Sequence, residues 1–91
     1  MINANANDFL DYVYSMQEAI HIYNQKKYCI QGWNKDGMVY LDLQEWEPTP
    51  KTIWQYKASN ILECRNEYLK TPLYDGKTFW EAEKDMEWVD D

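Results

Sequence analysis

Two strand-like segments on either side of a turn constrain the fold of this chain most. The segment 27–33 has the composition of a β-strand, and the residues 34–37 (NKDG) that follow are typical of a turn. From residue 38 to residue 46, apolar and polar side chains alternate, which is the pattern of a strand with one buried face. The apolar members are Val39, Leu41 and Leu43. The sequence therefore predicts a β-hairpin.

A third strand and three helices are predicted around this hairpin. After Pro48 and Pro50, the segment 52–57 (TIWQYK) resumes strand-type alternation. An apolar stripe at spacings of four and three predicts a first helix over residues 7–25; its members are Phe9, Val13, Met16, Ile20 and Tyr23. Asn60 with Glu63 begins a second helix that runs to about Lys70, and Thr78 with Glu81 forms a capping box for a last helix.

These elements predict one α+β domain over residues 1–91, with the order α-β-β-β-α-α and a three-stranded antiparallel sheet packed by helices. The apolar face of the hairpin should form the core together with the apolar faces of the helices. The helical members of this predicted core are Val13, Met16, Ile20, Ile61, Tyr68, Leu69, Phe79 and Met86.

The charge of the chain bears on its partners. Sixteen acidic against nine basic residues give a net charge of −7. This balance argues against direct binding to nucleic acid or to an anionic membrane, because both require patches of Lys and Arg. It favours a basic protein partner, or serves solubility. The chain has neither a stretch of about 18 apolar residues nor a signal-peptide pattern, so we expect it to be cytoplasmic.

The residue types needed for catalysis are sparse. His21 is the only histidine, and Cys29 and Cys64 lack the spacing of a zinc site or a disulfide framework. Both cysteines are expected to be reduced and buried. No glycine-rich phosphate loop is present, and the carboxylates Asp42, Glu45 and Glu47 lack the spacing of an EF-hand. We expect no enzymatic activity, no metal and no cofactor.

The C-terminal segment 75–91 concentrates the negative charge, with seven acids and two bases. If the last helix continues to residue 91, Glu83, Glu87 and Asp91 form one ladder at i,i+4 spacing, and Glu81 with Asp85 forms another. Each like-charge pair costs about 0.2–0.5 kcal/mol. Since residues four apart rise about 6 Å, the spacing is comparable to that of phosphates along a nucleic-acid strand. The segment is thus a candidate nucleic-acid mimic.

A chain this short and acidic, with this element order and an acidic last helix, resembles some phage-encoded anti-CRISPR inhibitors of type II effector nucleases. The resemblance implies an acidic DNA mimic that fills a basic cleft of a host defence nuclease in a bacterial cell. It also implies the residues that contact the partner, which are Glu81, Glu83, Asp85, Glu87, Asp90 and Asp91, with Asp36 and Asp42 on the hairpin.

The aromatic content supports an alternative function. Fifteen residues are aromatic, more than a core of this size hides completely. Exposed Tyr and Trp often anchor protein interfaces. The alternative is an acidic, aromatic-rich protein-binding module, such as an immunity protein against a toxin, and its candidate platform residues are Trp33, Tyr40, Trp46, Trp54 and Trp88. Salt separates the two functions, because only a charge mimic loses affinity steeply as ionic strength rises.

Overall fold

The computed structural model describes residues 2–89 of the chain and the side chains of residues 6–89. Three helices and five strands form an α+β fold, as the sequence predicts. In chain order they are α1 (Ile2–Tyr14), β1 (Ala19–Tyr23), β2 (Lys26–Lys35), β3 (Met38–Glu47), β4 (Lys51–Ala58), α2 (Ile61–Lys70), α3 (Phe79–Ala82) and β5 (Glu87–Val89). A 3-10 turn over Glu83–Asp85 joins α3 to β5.

The strands form one antiparallel sheet in the order β4-β3-β2-β1-β5. The predicted hairpin is confirmed as β2 and β3, which pair from Lys35 opposite Met38 to Lys27 opposite Glu47. The predicted third strand is confirmed as β4. The prediction of only three strands is wrong, because β1 and β5 add two more at the other side of the sheet.

The strand β1 replaces the second half of the predicted first helix. The helix α1 ends at Tyr14, and Met16 takes a left-handed backbone conformation with φ of 59°. Asn24 and Gln25 also have positive φ, which is the geometry of a two-residue type I′ hairpin turn between β1 and β2. Pairing with β2 on one side and β5 on the other satisfies the backbone of β1.

The predicted long C-terminal helix is also wrong. Its capping box is confirmed, since Thr78 accepts from the Glu81 amide and Glu81 accepts from the Thr78 amide. However, α3 ends at Ala82, and residues 87–89 pair with β1 as a strand. Repulsion among closely spaced acids opposes a continued helix, and strand pairing offers the backbone another partner.

The helices pack on one face of the sheet. Phe9 of α1 stacks on Phe79 of α3 and meets the edge of His21 in β1, while Tyr68 of α2 packs against Phe79. No helix in the described part of the chain is long and apolar enough to cross a membrane.

Most of the predicted core is confirmed. The fully or nearly buried members are Val13, Leu41, Leu43, Tyr68, Phe79 and Met86, with Val39, Ile61 and Leu69 packed against them. Ile20 is buried but belongs to the opposite face of the sheet, because its strand neighbours Ala19 and His21 face the helices. Met16 is half-buried above Gly32.

Candidate functional site

One face of the sheet carries no helix among the described residues, and we call it the helix-free face. It consists of the side chains that alternate with the core residues of each strand. They include Ile20 and Ile22 of β1, Cys29, Gln31 and Trp33 of β2, Tyr40, Asp42, Gln44 and Trp46 of β3, Gln55 and Lys57 of β4, and Glu87 and Val89 of β5. Aromatic, amide and charged groups thus share a surface that an antiparallel sheet commonly leaves to solvent.

An aromatic pair occupies the β2–β3 hairpin end of this face. Trp33 and Tyr40 lie opposite each other in the register and their rings stack nearly parallel, with centroids 5.4 Å apart and planes 4° apart. Lys57, opposite Tyr40 in β4, places its Nζ 6.0 Å from the centroid of the Tyr40 ring. Both rings are half-buried, so part of each remains accessible. The Lys57 ammonium thus makes a cation–π contact with the Tyr40 ring of this pair.

A chain of hydrogen bonds runs along β3 beside this pair. Trp46 Nε1 donates to Gln44 Oε1 at 3.0 Å, and Gln44 Nε2 donates to Asp42 Oδ2 at 3.2 Å. The second carboxylate oxygen, Asp42 Oδ1, is buried and has no hydrogen-bond partner. Asp42 is only 3% exposed. This series of hydrogen bonds therefore ends in an unsatisfied acceptor, and burying a carboxylate oxygen without a donor costs free energy.

Asp42 lies between amide side chains of the neighbouring strands. Its register partners are Gln31 in β2 and Gln55 in β4, and the adjacent row holds Trp33, Tyr40 and Lys57. No described helix covers this face, yet Asp42 is only 3% exposed. The resemblance to anti-CRISPR inhibitors implies that Asp42 is a contact residue, but the alternation along β3 predicts a solvated position for it.

The acids of the predicted C-terminal ladder have different environments in the structure. Glu81 caps α3, Glu83 is half-buried with a buried Oε2 that has no partner, and Asp85 and Glu87 are exposed. The prediction that these acids form i,i+4 ladders on one continuous helix is wrong, since Asp85 ends a 3-10 turn and Glu87 begins β5. Their contact with a partner stays a prediction. Asp90 and Asp91 lie outside the described residues.

The other predicted contact residues are dispersed. Asp36 is exposed in the β2–β3 turn with φ of 54°. Trp88 faces the helices, where its ring meets the edges of Phe9 at 5.5 Å and Tyr12 at 5.0 Å. Trp54 also lies on the helix side, against Tyr68. Of the five aromatic platform candidates, Trp33, Tyr40 and Trp46 share the helix-free face.

Sequence reasoning missed Gln44, which links Trp46 to Asp42. The signal that was available is the spacing 40, 42, 44 and 46, which places these side chains on one side of β3.

A second polar cluster is buried under the helices. His21 is in β1, not in a helix as the sequence predicts, and it is fully buried. Its Nδ1 lies 3.0 Å from the Ala19 carbonyl oxygen and must donate to it, so Nε2 accepts from the Tyr74 hydroxyl at 2.9 Å. Tyr74 in turn accepts from Tyr68 at 2.6 Å. Every polar atom of the His21 ring is thus satisfied by the protein.

Burial sets the protonation of this cluster. It lowers the pKa of His21 to about 4 and raises the pKa of Tyr68 and Tyr74, so all three groups are neutral near pH 7. With no exposed surface on any of the three side chains, the cluster offers no access to a substrate. Its geometry is that of a structural network.

Other polar groups provide structural contacts. Lys26 and Asn24 each donate to Asp75 at 2.8 Å and thereby tie the β1–β2 turn to the segment before α3. The hydrogen bond from Lys26 lowers the pKa of Asp75. Cys29 and Cys64 are both buried, as predicted. Within residues 2–89, no three His, Cys, Asp or Glu side chains are grouped so that they could hold a metal.

No protein-family model, curated protein or solved structure matches this chain. The functional conclusion therefore depends on the geometry of the site.

Proposed function

We propose that this domain is a non-catalytic binding module that docks the helix-free face of its sheet onto a protein partner rich in Arg or Lys. The observation that carries the proposal is the stacked pair Trp33 and Tyr40, which stands half-buried on a face that no described helix covers. Tyr and Trp in this setting combine apolar area with a polar tip, which is why they often anchor interfaces.

The sign of the charge supports a basic partner. The chain carries a net charge of −7, which attracts cationic proteins and speeds their association. On the face itself, Asp42 provides a carboxylate and the ring of Tyr40 already holds the Lys57 ammonium near it. A cytoplasmic immunity protein that neutralises a toxin is a function of this kind, and it requires binding alone.

Selection from a random library of displayed peptides tests the proposal. Peptides of roughly twelve residues are long enough to cross the face in extended form. We expect the selected peptides to be enriched in Arg and Lys and to lose affinity for a Tyr40→Ala variant.

The matched control is Trp80→Ala, which removes an aromatic side chain that is 50% exposed on α3. Binding that is retained by Tyr40→Ala but lost by Trp80→Ala would place the interface on the helices and overturn the proposal. Enrichment of acidic or wholly apolar peptides would overturn the basic partner.

A second candidate is an acidic nucleic-acid mimic that occupies a basic cleft of a host defence nuclease, such as a CRISPR effector, as a phage or mobile-element inhibitor. The exposure of Glu81, Asp85 and Glu87 within one short segment favours it. The described residues do not form the regular ladder, so the support for this candidate is the negative charge and its clustering.

A single variant, Asp85→Asn, separates the two candidates because Asp85 is exposed in the 3-10 turn and lies outside the capping box, whereas Glu87 belongs to the helix-free face. A charge mimic should lose affinity for its nuclease and lose salt dependence with it. If Asp85→Asn binds and inhibits like the parent, while Tyr40→Ala does not, the mimic is excluded.

A further inference from the structure

The orphaned oxygen of Asp42 is the strongest unexplained feature of the described structure. Asp42 is only 3% exposed, its Oδ2 accepts a hydrogen bond from Gln44 Nε2, and its Oδ1 is buried without a donor. By contrast, Glu45 is buried to a similar extent on the helix side of β3, but it accepts from the Thr49 amide and lies 3.9 Å from Lys51 Nζ. Asp42 is thus the buried acid of β3 that lacks a cation.

We propose that Asp42 Oδ1 receives the guanidinium of an arginine side chain of the partner, which lies against the Trp33 and Tyr40 rings. This inference rests on the proposed function and names the chemical group that the helix-free face recognises. A charge-assisted hydrogen bond from the guanidinium satisfies the orphaned acceptor and neutralises the buried charge. Arginine suits the position because its planar head stacks on aromatic rings.

The neighbours of Asp42 permit such a group to enter. Oδ1 has no exposed surface in the unbound structure, so a side chain of the face must move aside first. The register neighbours Gln31 and Gln55 have long, unbranched side chains, Gln31 is half-buried and Gln55 is exposed. Lys57 beside Tyr40 is a resident cation that an incoming arginine competes with at the ring.

Short blocked peptides provide the test. The probes are glycine peptides with acetylated and amidated ends that carry one arginine, one lysine or one citrulline, the last being an uncharged analogue of arginine. Titration is followed by the ¹H–¹⁵N resonances of the protein, including the indole signal of Trp33. We expect the arginine peptide to shift the resonances around Asp42 and Trp33, the lysine peptide to bind more weakly, and citrulline to bind at least about tenfold more weakly than arginine.

Variants locate the interaction. Asp42→Asn should weaken binding of the arginine peptide at least about tenfold, whereas the matched control Glu45→Gln, which removes a charge from the other face of β3, should not. Lys57→Ala should leave binding unchanged or tighten it. Equal binding of arginine and citrulline by the unmodified protein would overturn the proposal without any variant, so the test holds even if Asp42→Asn fails to fold.

The outcomes also separate this inference from the proposed function. If the selected basic peptides bind in a manner that depends on Tyr40 but not on Asp42, the arginine site is wrong and the binding module stands. If basic peptides do not perturb the helix-free face at all, both are wrong.

Discussion

Lowering the pH from about 7 to about 5 should destabilise the domain through protonation of His21 in the unfolded chain. Burial lowers the pKa of His21 in the folded protein to about 4, from 6.5 in an unfolded chain. Between these two values the unfolded state binds a proton that the folded state does not. The free energy of unfolding therefore falls as the pH falls through this window, and the contribution is fully present only above pH 6.5.

The magnitude follows from the two pKa values. Linkage predicts a loss of about 2 kcal/mol at about pH 5 and about 3 kcal/mol once the pH is below both values. For a domain of this size, such a loss is a large share of the total stability. The pKa values of Asp75 and Glu81 lie below their ordinary values of 3.8 and 4.5, so both carboxyls contribute little to the pH dependence of stability between about pH 7 and about pH 5.

Two measurements check this prediction. Urea unfolding at several pH values gives the free energy of unfolding for the parent and for His21→Gln, which cannot titrate. We expect the parent to lose stability between about pH 7 and about pH 5 and the variant, although less stable overall, to lose much less. Since His21 is the only histidine, its ring proton also gives a single NMR titration. A midpoint near 6.5, or the same slope in both proteins, would refute the buried neutral network.

Three further substitutions, each followed by urea unfolding, test the core, the buried hydrogen-bond network and the cap of α3. Leu41→Ala should lower the free energy of unfolding by about 2–5 kcal/mol because Leu41 is fully buried, and an unchanged value would show that the opposite face of β3 packs in the core. Tyr74→Phe should cost at least about 2 kcal/mol, since it leaves His21 Nε2 and the Tyr68 hydroxyl without their shared partner, and a neutral effect would contradict the hydrogen-bond chain. Thr78→Ala should cost about 1 kcal/mol by removing the cap of α3, whereas a gain in stability would contradict the capping box.

Local patterns in the sequence predicted the elements that local chemistry determines. The alternation from Val39 to Leu43 and the turn at Asp36 and Gly37 define the β2–β3 hairpin, and both are confirmed. Asn60 begins α2 by accepting from the Glu63 amide, as its position predicts. In each case the residues that carry the signal are close in sequence.

The two wrong elements depend on pairing between distant segments. The stripe from Phe9 to Tyr23 has helical spacing, yet residues 19–23 pair with β2 and β5. The β-branched Ile20 and Ile22 followed by Asn24 were the signal of a strand and a turn. At the C-terminal end, the sequence pattern predicts a helix in spite of unfavourable acid pairs. The structure shows a simpler outcome, because the helix ends before Glu87.

The candidate site was predicted only in part. Asp42 and the aromatic candidates Trp33, Tyr40 and Trp46 were named from the sequence, but in separate hypotheses. Their placement on one face follows from the strand register, which a single sequence does not show. The burial of Asp42 and its orphaned oxygen depend on three neighbouring strands, so no local pattern predicts them.

Mapping a selected basic peptide by ¹H–¹⁵N chemical shifts shows whether the helix-free face is the binding surface. We expect the perturbed residues to cluster around Trp33, Tyr40 and Asp42, on strands β2 and β3. The helix layer offers the competing surface through Leu62 and Trp80, which are exposed. Perturbations that cluster around those two residues, and leave the resonances of Trp33 and Tyr40 unchanged, would show that the partner binds the helix layer instead.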